Sequence, residues 1–159
     1  QQVEGSVLWL SFVVEEAMEN LRRSAQNRGV KPDRLIFAQK IPHPEYLARL
    51  SLANLALDTL IYNGGSTTVC ALYAGLPVLT KPGATNAARM GASICASAGI
   101  EEMICHSLEE YEQKAVFIGT HPEELLLLQE LLKNRNGPLF NLSDFVVNLE
   151  VVLEEIWNR

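Results

Sequence analysis

Basic residues and long apolar runs are scarce in this chain of 159 residues. Lys and Arg together number 13 against 19 Asp and Glu, which gives a formal net charge of -6. Because no basic stripe is available to pair with phosphates, binding to nucleic acid is not expected. No apolar run approaches the roughly 20 residues that an α-helix needs to cross a bilayer, so a membrane partner is not expected either.

Cysteine and histidine are also rare and scattered. The chain has three of each, and no two cysteines form a C-x-x-C pair. The odd number of cysteines argues against a disulfide framework and for reduced thiols in a cytoplasmic protein. The histidines are too dispersed to predict a metal site, and no Ser-His-Asp or Cys-His arrangement indicates catalytic residues. The six residues are Cys70, Cys95, Cys105, His43, His106 and His121.

The composition that remains is that of a globular protein, with 48% apolar and 20% charged residues. The length suits one ordinary domain, and we expect residues 1–159 to form a single domain. The sequence has no signal-peptide layout, opens with Gln rather than Met and enters an apolar run almost at once. These features lead us to expect a piece of a longer protein.

Short apolar runs alternate with helical patterns along the chain. The runs have the character of buried strands, and the first of them is expected to be buried on both faces. Each connection between two runs is long enough for a crossover helix. This predicts an α/β fold with a Rossmann-like parallel sheet and helices on both faces, ending in C-terminal helices. The expected strands are 7–12, 34–37, 55–58, 76–80 and 103–104, and the expected helices are 15–28, 44–53, 66–74, 86–98, 108–118, 123–135 and 143–157.

The most informative segment is a glycine loop between the third strand and the third helix. Such a junction lies at the carboxyl edge of a parallel sheet, where ligands bind in these folds. Glycines let the backbone approach a ligand closely, and the first amides of a helix attract phosphate groups. Asn-Gly-Gly is also ordinary turn chemistry, and Ser or Thr is a common N-cap, so a purely structural role stays open. The residues are Asn63, Gly64, Gly65, Ser66, Thr67 and Thr68.

Asp58, at the end of the third strand, has a second interpretation. An Asp in this position is the phosphoacceptor of receiver domains. That fold needs further acidic residues at the end of its first strand, where this chain has Phe12, Val13 and Val14 before Glu15. The receiver interpretation is therefore disfavoured.

Taken with its neighbours, this region resembles the C-terminal catalytic lobe of the O-GlcNAc transferases and their SPINDLY-like relatives. The stretch Leu57-Asp58-Thr59 through Thr68 matches the Leu-Asp-Thr, Asn-Gly and Thr-Thr signature of that family. The resemblance covers nearly the whole chain, from an opening strand to the C-terminal end. Its further pieces are Ser6-Val7-Leu8-Trp9-Leu10, Gly75-Leu76-Pro77-Val78-Leu79-Thr80, Pro82-Gly83, Arg89, Pro138-Leu139-Phe140-Asn141 and Trp157.

The resemblance implies one lobe of a GT-B glycosyltransferase, in which two Rossmann-like lobes hold UDP-GlcNAc between them and the sugar is transferred to Ser or Thr hydroxyls of proteins without a required metal. It implies UDP or UDP-GlcNAc as ligand, with residues 63–68 along the diphosphate and the backbone of Ile41 facing the uracil. His43, Tyr46 and Arg49 would surround the uridine. The implied partners are a missing N-terminal catalytic lobe and a protein acceptor. No catalytic residue is expected in this chain, and tetratricopeptide repeats are absent from it.

Four positions depart from the family pattern. Cys70 stands where the family has an Asp that binds the ribose, and a thiol is a poor substitute for a carboxylate acceptor. His43 replaces a Lys and Gly65 a His of the animal enzymes, and Ala84 replaces a Glu. Two interpretations follow. The chain is the donor-binding lobe of a protein O-glycosyltransferase, inactive by itself, or it is a non-catalytic binding or scaffold module with a decayed nucleotide site.

The last predicted helix carries an apolar face. In a GT-B protein, part of such a face would need the missing lobe, and the isolated chain would expose it and could self-associate. The alternative is that this face packs on the core of its own domain. Its residues are Phe145, Leu149, Val152, Leu153 and Ile156.

Overall fold

This computed structural model describes residues 2–11, 14–134 and 137–158, in which four strands alternate with the first four of seven α-helices and the last three helices follow one another. The contacts between residues divide the chain into two units, Gln1–Ala48 and Arg49–Arg159. Each unit contains one parallel pair of strands. The predicted α/β class with parallel strands is therefore confirmed, and a single domain over the whole chain stays a prediction.

The first unit is built on the parallel pair β1 (Leu8–Ser11) and β2 (Leu35–Ala38). Residue 8 is paired with residue 35, and the register continues to residues 11 and 38. Helix α1 (Glu15–Gln26) makes the crossover between the two strands, as the length of the connection predicts. Helix α2 (His43–Leu50) follows β2 and extends past the boundary of the unit.

Strand β1 is not buried on both faces, so that prediction is wrong. Leu8 is 44% exposed and Trp9 is 38% exposed. Within the described residues β1 pairs with β2 alone, which leaves its other edge without a neighbouring strand. Among the described hydrophobic residues of this unit, the ones that are buried are Met18 and Leu35.

The second unit holds the parallel pair β3 (Ala56–Leu57) and β4 (Val78–Leu79). The predicted fifth strand is reduced to one parallel bridge, between Thr80 and Ile104. Residues Glu101–Met103 form a 3-10 turn, which leaves only residue 104 extended enough to pair. β4 therefore lies between β3 and the bridge, in the centre of this small sheet.

Five helices lie wholly within the second unit, and four of them begin within one residue of their expected start. They are α3 (Ser66–Tyr73), α4 (Met90–Ser97), α5 (Leu108–Thr120), α6 (Pro122–Lys133) and α7 (Leu142–Trp157).

Helix α4 differs from the prediction because it begins at Met90 rather than at residue 86. The carbonyl of Ala87 accepts a hydrogen bond from the Asn63 amide at 2.9 Å, and that of Ala88 accepts one from the Gly83 amide at 2.7 Å. These two carbonyls accept hydrogen bonds from other loops rather than the first hydrogen bonds of a helix, so residues 84–89 form turns instead.

The core of the second unit surrounds β4, and its helices contribute most of the remaining apolar side chains. α7 is the exception, since every described residue from 141 to 158 is exposed. No helix among the described residues is long and apolar enough to cross a membrane. The side chains with the least exposure in this core are Leu72, Val78, Leu79, Cys95, Ile100, Met103, Cys105 and Leu132.

Candidate functional site

The candidate site is the loop of residues 58–65, which joins the end of β3 to the start of α3. The Asp58 amide donates to the Leu79 carbonyl at 2.9 Å, so the loop departs from the edge of the sheet. The Thr59 hydroxyl bonds to the Tyr62 carbonyl and closes a turn at the tip. Ile61 is 88% exposed at this tip. The structure thus confirms that the glycine loop connects a parallel strand to a helix.

Asn63 is fully buried, and its polar groups hold the loop together. Its side-chain nitrogen donates to the Thr59 carbonyl at 2.5 Å, and its side-chain oxygen accepts from the Gly91 amide at 3.2 Å. Its own amide donates to the Ala87 carbonyl. The side chain therefore links the loop to the first turn of α4.

Gly64 is required by the closeness of the helix that follows. A Cβ atom at this position would lie 2.5 Å from the Thr68 hydroxyl and 2.7 Å from the Thr67 hydroxyl. Thr68 is buried and donates its hydroxyl proton to the Gly64 carbonyl at 2.8 Å. Gly65 meets a softer neighbour, because its Cβ would lie 3.2 Å from the Met90 sulfur.

The first turn of α3 presents the polar groups that a ligand can reach. Gly65 is the N-cap and provides no side-chain cap, and the turn contains no acidic residue. Ser66 and Thr67 are both exposed in this turn. A helix start carries partial positive charge and orphan backbone amides, so this arrangement suits an anionic group.

The Asp58 carboxylate lies beneath the loop and accepts three hydrogen bonds. One oxygen, Oδ1, accepts from the amides of Thr59 at 2.9 Å and of Gly64 at 2.7 Å. The other oxygen, Oδ2, accepts from the Thr80 hydroxyl at 2.7 Å. The Asp58 carbonyl accepts a further bond from the Tyr111 hydroxyl at 3.0 Å. Three bonds leave this carboxylate engaged on both oxygens rather than presented as a phosphoacceptor.

The pKa values of Tyr111 and Cys95, two groups that are affected by the Asp58 charge, are both raised. Burial, with a smaller effect of the Asp58 charge, raises the pKa of Tyr111 well above its usual range. Burial and the same charge raise the pKa of Cys95 from 9.0 to about 12. Both groups are therefore protonated at neutral pH, and Tyr111 can act as a hydrogen-bond donor to Asp58.

The residues expected around a uridine lie on and before α2. The rings of His43 and Tyr46 meet edge to face, with centroids 6.2 Å apart, in the first turn of the helix. Ile41, just before the helix, and Tyr46 are half-buried, while His43 is exposed. Arg49 follows Tyr46 by three residues and is the first residue of the second unit. This spacing places His43, Tyr46 and Arg49 along one side of the helix.

Besides His43 and Gly65, two further positions depart from the family pattern, and both lie in the second unit. Cys70 is half-buried on α3, and Ala84 is exposed in the turn before α4. Within residues 2–11, 14–134 and 137–158 no group of three His, Cys, Asp or Glu side chains is arranged to hold a metal ion.

Three residues of the loop's support, Thr80, Gly91 and Tyr111, were not expected from the sequence. One signal for Thr80 was present, because β3 and β4 are neighbouring parallel strands whose ends bring Asp58 and Thr80 to the same edge of the sheet. No local pattern distinguishes Gly91 or Tyr111, which reach the loop only through tertiary packing.

A strand, a glycine-containing loop and a helix arranged in this way define a Rossmann-like α/β protein with a candidate ligand site at the strand ends. The chain belongs to glycosyl transferase family 41, whose family model matches residues 1–149. This membership confirms the resemblance to the O-GlcNAc transferases.

Individual relatives agree with the family. The chain is 37% identical over 161 aligned residues to the probable UDP-N-acetylglucosamine–peptide N-acetylglucosaminyltransferase SEC of Arabidopsis thaliana, covering 99% of this chain and 16% of that protein. It is 28% identical to the UDP-N-acetylglucosamine–peptide N-acetylglucosaminyltransferase of Caenorhabditis elegans, covering 100% of this chain and 14% of that protein. The chain therefore spans about one sixth of the length of these relatives.

A solved structure supports the fold independently. The O-GlcNAc transferase of Thermobaculum terrenum, determined as a mutant, superposes with a TM-score of 0.86 and 25% sequence identity. The match covers 98% of this chain and 36% of that chain. The fold of the present chain is thus that of one part of a larger transferase.

Proposed function

We propose that this chain is the donor-binding lobe of a protein O-glycosyltransferase and that it holds the UDP moiety of UDP-GlcNAc. The observation that carries the proposal is the first turn of α3, where exposed Ser66 and Thr67 follow two glycines at the end of a parallel strand. A diphosphate matches the positive end of this helix and its hydroxyl donors. The identity of the nucleotide sugar is taken from the relatives, which are named as UDP-N-acetylglucosamine–peptide N-acetylglucosaminyltransferases.

The residues of the proposed site fall into three roles. Ser66, Thr67 and the backbone of Gly65 face the diphosphate. Asn63 and Thr68 are buried and set the conformation of the loop, and Gly64 lets the loop pass close to the helix. The residues proposed to surround the uridine, by the family resemblance, are Ile41, His43, Tyr46 and Arg49.

The proposed lobe does not catalyse transfer by itself. Sugar transfer requires an acceptor hydroxyl held for attack and a leaving diphosphate that is stabilised from more than one side. We propose that a further catalytic lobe supplies these groups and that the acceptor is a Ser or Thr of a protein. No metal is part of this proposal, because the helix start and hydroxyls supply the contacts to the diphosphate.

A second candidate is a non-catalytic module whose nucleotide site has decayed. Cys70 favours this alternative, because the family pattern has a ribose-binding Asp where this chain has a thiol. A Cys70→Asp variant separates the two candidates. If the site is otherwise intact, the new carboxylate strengthens UDP binding about tenfold. In a decayed site the same change leaves binding undetectable.

Calorimetric titration of the chain with UDP and with uridine tests the main proposal. We expect UDP to bind more tightly than uridine, because only UDP reaches the first turn of α3. The double variant Ser66→Ala and Thr67→Ala should reduce this difference by about tenfold without altering the thermal unfolding temperature. Ser24→Ala, which removes an exposed hydroxyl on α1, is the matched control. Equal binding of UDP and uridine would contradict the assigned diphosphate site.

A further inference from the structure

We propose that Asp58 is a positioning residue that holds the glycine loop in its ligand-binding conformation, acting together with Thr80 and Gly91. This inference rests on the proposed function for the role of the loop. The positioning itself rests on contacts within the second unit. Asp58 touches no ligand in this proposal, and it acts through the backbone of the loop.

The carboxylate bonds to both ends of the loop tip at the same time. Its Oδ1 atom accepts from the amide of Thr59, where the loop begins, and from the amide of Gly64, just before α3. One oxygen atom therefore draws together two backbone positions that are separated by the exposed turn. The amide of Gly64 is fixed two residues before Ser66, so a shift at Gly64 moves the start of α3.

The second oxygen anchors this carboxylate to the central strand. The Thr80 hydroxyl donates to Oδ2 at 2.7 Å, and Thr80 directly follows β4. Thr80 itself is fully buried, and its backbone is bonded to the segment around Ile104, through its amide to Met103 and through its carbonyl to Cys105. The carboxylate is thus attached to the most buried part of the sheet.

Gly91 provides the space that the carboxylate occupies. A Cβ atom at Gly91 would collide with Oδ2 of Asp58 and would lie 2.5 Å from the Thr80 hydroxyl. The Gly91 amide also donates to the Asn63 side chain at 3.2 Å. A glycine in the first turn of α4 therefore permits the Asp58 contact and bonds to the loop as well.

The Asp58 charge by itself opposes the binding of a diphosphate, because like charges repel. The proposed benefit of Asp58 is geometric, and geometry and charge are separable by substitution. Asn at position 58 keeps one oxygen that can accept from Thr59 and Gly64, and its amide group can donate to the Thr80 hydroxyl. Ala removes all three contacts.

The test compares Asp58→Ala with Asp58→Asn in the 159-residue chain, with Glu130→Gln on the exposed surface of α6 as a control for the lost charge. Hydrogen exchange of the Gly64 amide, followed by NMR, reports the loop without any ligand. We expect exchange at Gly64 to accelerate at least about tenfold in Asp58→Ala and to change less than about threefold in Asp58→Asn. Glu130→Gln should match the wild type.

Affinity for UDP, measured on the same variants, tests the link to function. We expect Asp58→Ala to weaken binding at least about tenfold, and Asp58→Asn to bind as well as or better than the wild type. Loss of binding in both variants would show that the charge matters rather than the geometry, and it would overturn the positioning role. Unchanged exchange at Gly64 in Asp58→Ala would overturn it as well.

The proposal and the proposed function can fail separately. If the wild-type chain binds no UDP but hydrogen exchange at the Gly64 amide is still faster in Asp58→Ala, the proposed donor site is wrong and the positioning role holds.

If Asp58→Ala does not fold, the variants Thr80→Val and Gly91→Ala take its place in the test. Each should accelerate exchange at Gly64 relative to core amides, whereas Thr80→Ser, which keeps the hydroxyl, should not. Equal acceleration in Thr80→Val and Thr80→Ser would contradict the role of the hydroxyl.

Discussion

The side-chain oxygen of Asn63 accepts a hydrogen bond from the amide of Gly91 at 3.2 Å, across 28 residues of sequence. Asn63 comes from the glycine loop and Gly91 from the first turn of α4. The bond satisfies one of the amides that a helix start leaves without an internal partner. Asn63, which the sequence alone indicates as a turn residue, therefore also caps the start of α4.

Replacing Asn63 by Ala should destabilise the chain by about 1–3 kcal/mol, because the Thr59 carbonyl and the Gly91 amide would lose a buried partner. Equilibrium unfolding in urea measures this change. Asn158→Ala, at an exposed position after α7, should stay within about 0.5 kcal/mol of the wild type. Equal effects of the two substitutions would contradict the role assigned to Asn63.

Replacing Gly64 by Ala should weaken UDP binding strongly, because the new methyl group would contact the hydroxyls of Thr67 and Thr68. Thr68 is buried, so the backbone of the loop must move. Gly65→Ala should have a smaller effect, since its methyl group meets the flexible side chain of Met90. Calorimetry with UDP measures both variants, and a larger loss in Gly65→Ala would refute this ranking.

The buried thiol of Cys95 should make the chain less stable in alkali. Its pKa is raised to about 12 in the folded chain from 9.0, so between these values the unfolded chain releases a proton that the folded chain keeps. The contribution of this group to the free energy of unfolding is therefore complete below about pH 9. It falls as the pH rises above that value, by at most about 1.4 kcal/mol per pH unit.

The substitution Cys95→Ser checks this slope, because a Ser hydroxyl does not titrate in this range. Urea unfolding between about pH 8 and pH 10.5 should give a shallower loss of stability in the variant than in the wild type. The slopes are compared rather than the absolute stabilities, since the substitution also alters the packing. Equal slopes in the wild type and in Cys95→Ser would rule out the Cys95 thiol as the cause of the loss of stability in alkali.

The exposed helix α7 should promote self-association of the isolated chain. Phe145 is 59% exposed, Leu149 44% and Ile156 61%, and their spacing places them on one side of the helix. Leu149→Glu should raise the dissociation constant of the self-associated form at least about tenfold. Sedimentation velocity over a range of concentrations measures it. Leu126→Glu, on α6 and 60% exposed in the wild type, is the matched control, and an equal effect there would count against α7 as the contact.

Much of the α/β order follows from the sequence because its signals are local. Gly75 and Gly99 follow α3 and α4 with positive φ, as glycines that end helices do. The apolar runs at residues 35–38 and 78–79 become strands β2 and β4. These patterns depend on the neighbours of each residue along the chain, so they can be found without a structure.

The errors arise where distant segments decide the structure. Residues 86–89 have helical composition, but the carbonyl of Ala87 is bonded to the glycine loop and that of Ala88 to Gly83, which delays the start of α4. The exposure of Trp9 depends on how many strands pair with β1. Within the candidate site, the loop and its glycines are evident in the sequence. The three bonds to Asp58 are not, because their donors lie up to 22 residues away along the chain.

The hydrogen bond from Tyr111 to the Asp58 carbonyl spans 53 residues. The groups that fix the glycine loop therefore come from β4, α4 and α5 as well as from the loop itself. Transplanting residues 58–68 onto another scaffold would transfer a turn without its supports. The shortest segment that keeps all of these supporting groups runs from β3 through α5. A segment that ends before Tyr111 would lack the hydrogen bond to the Asp58 carbonyl.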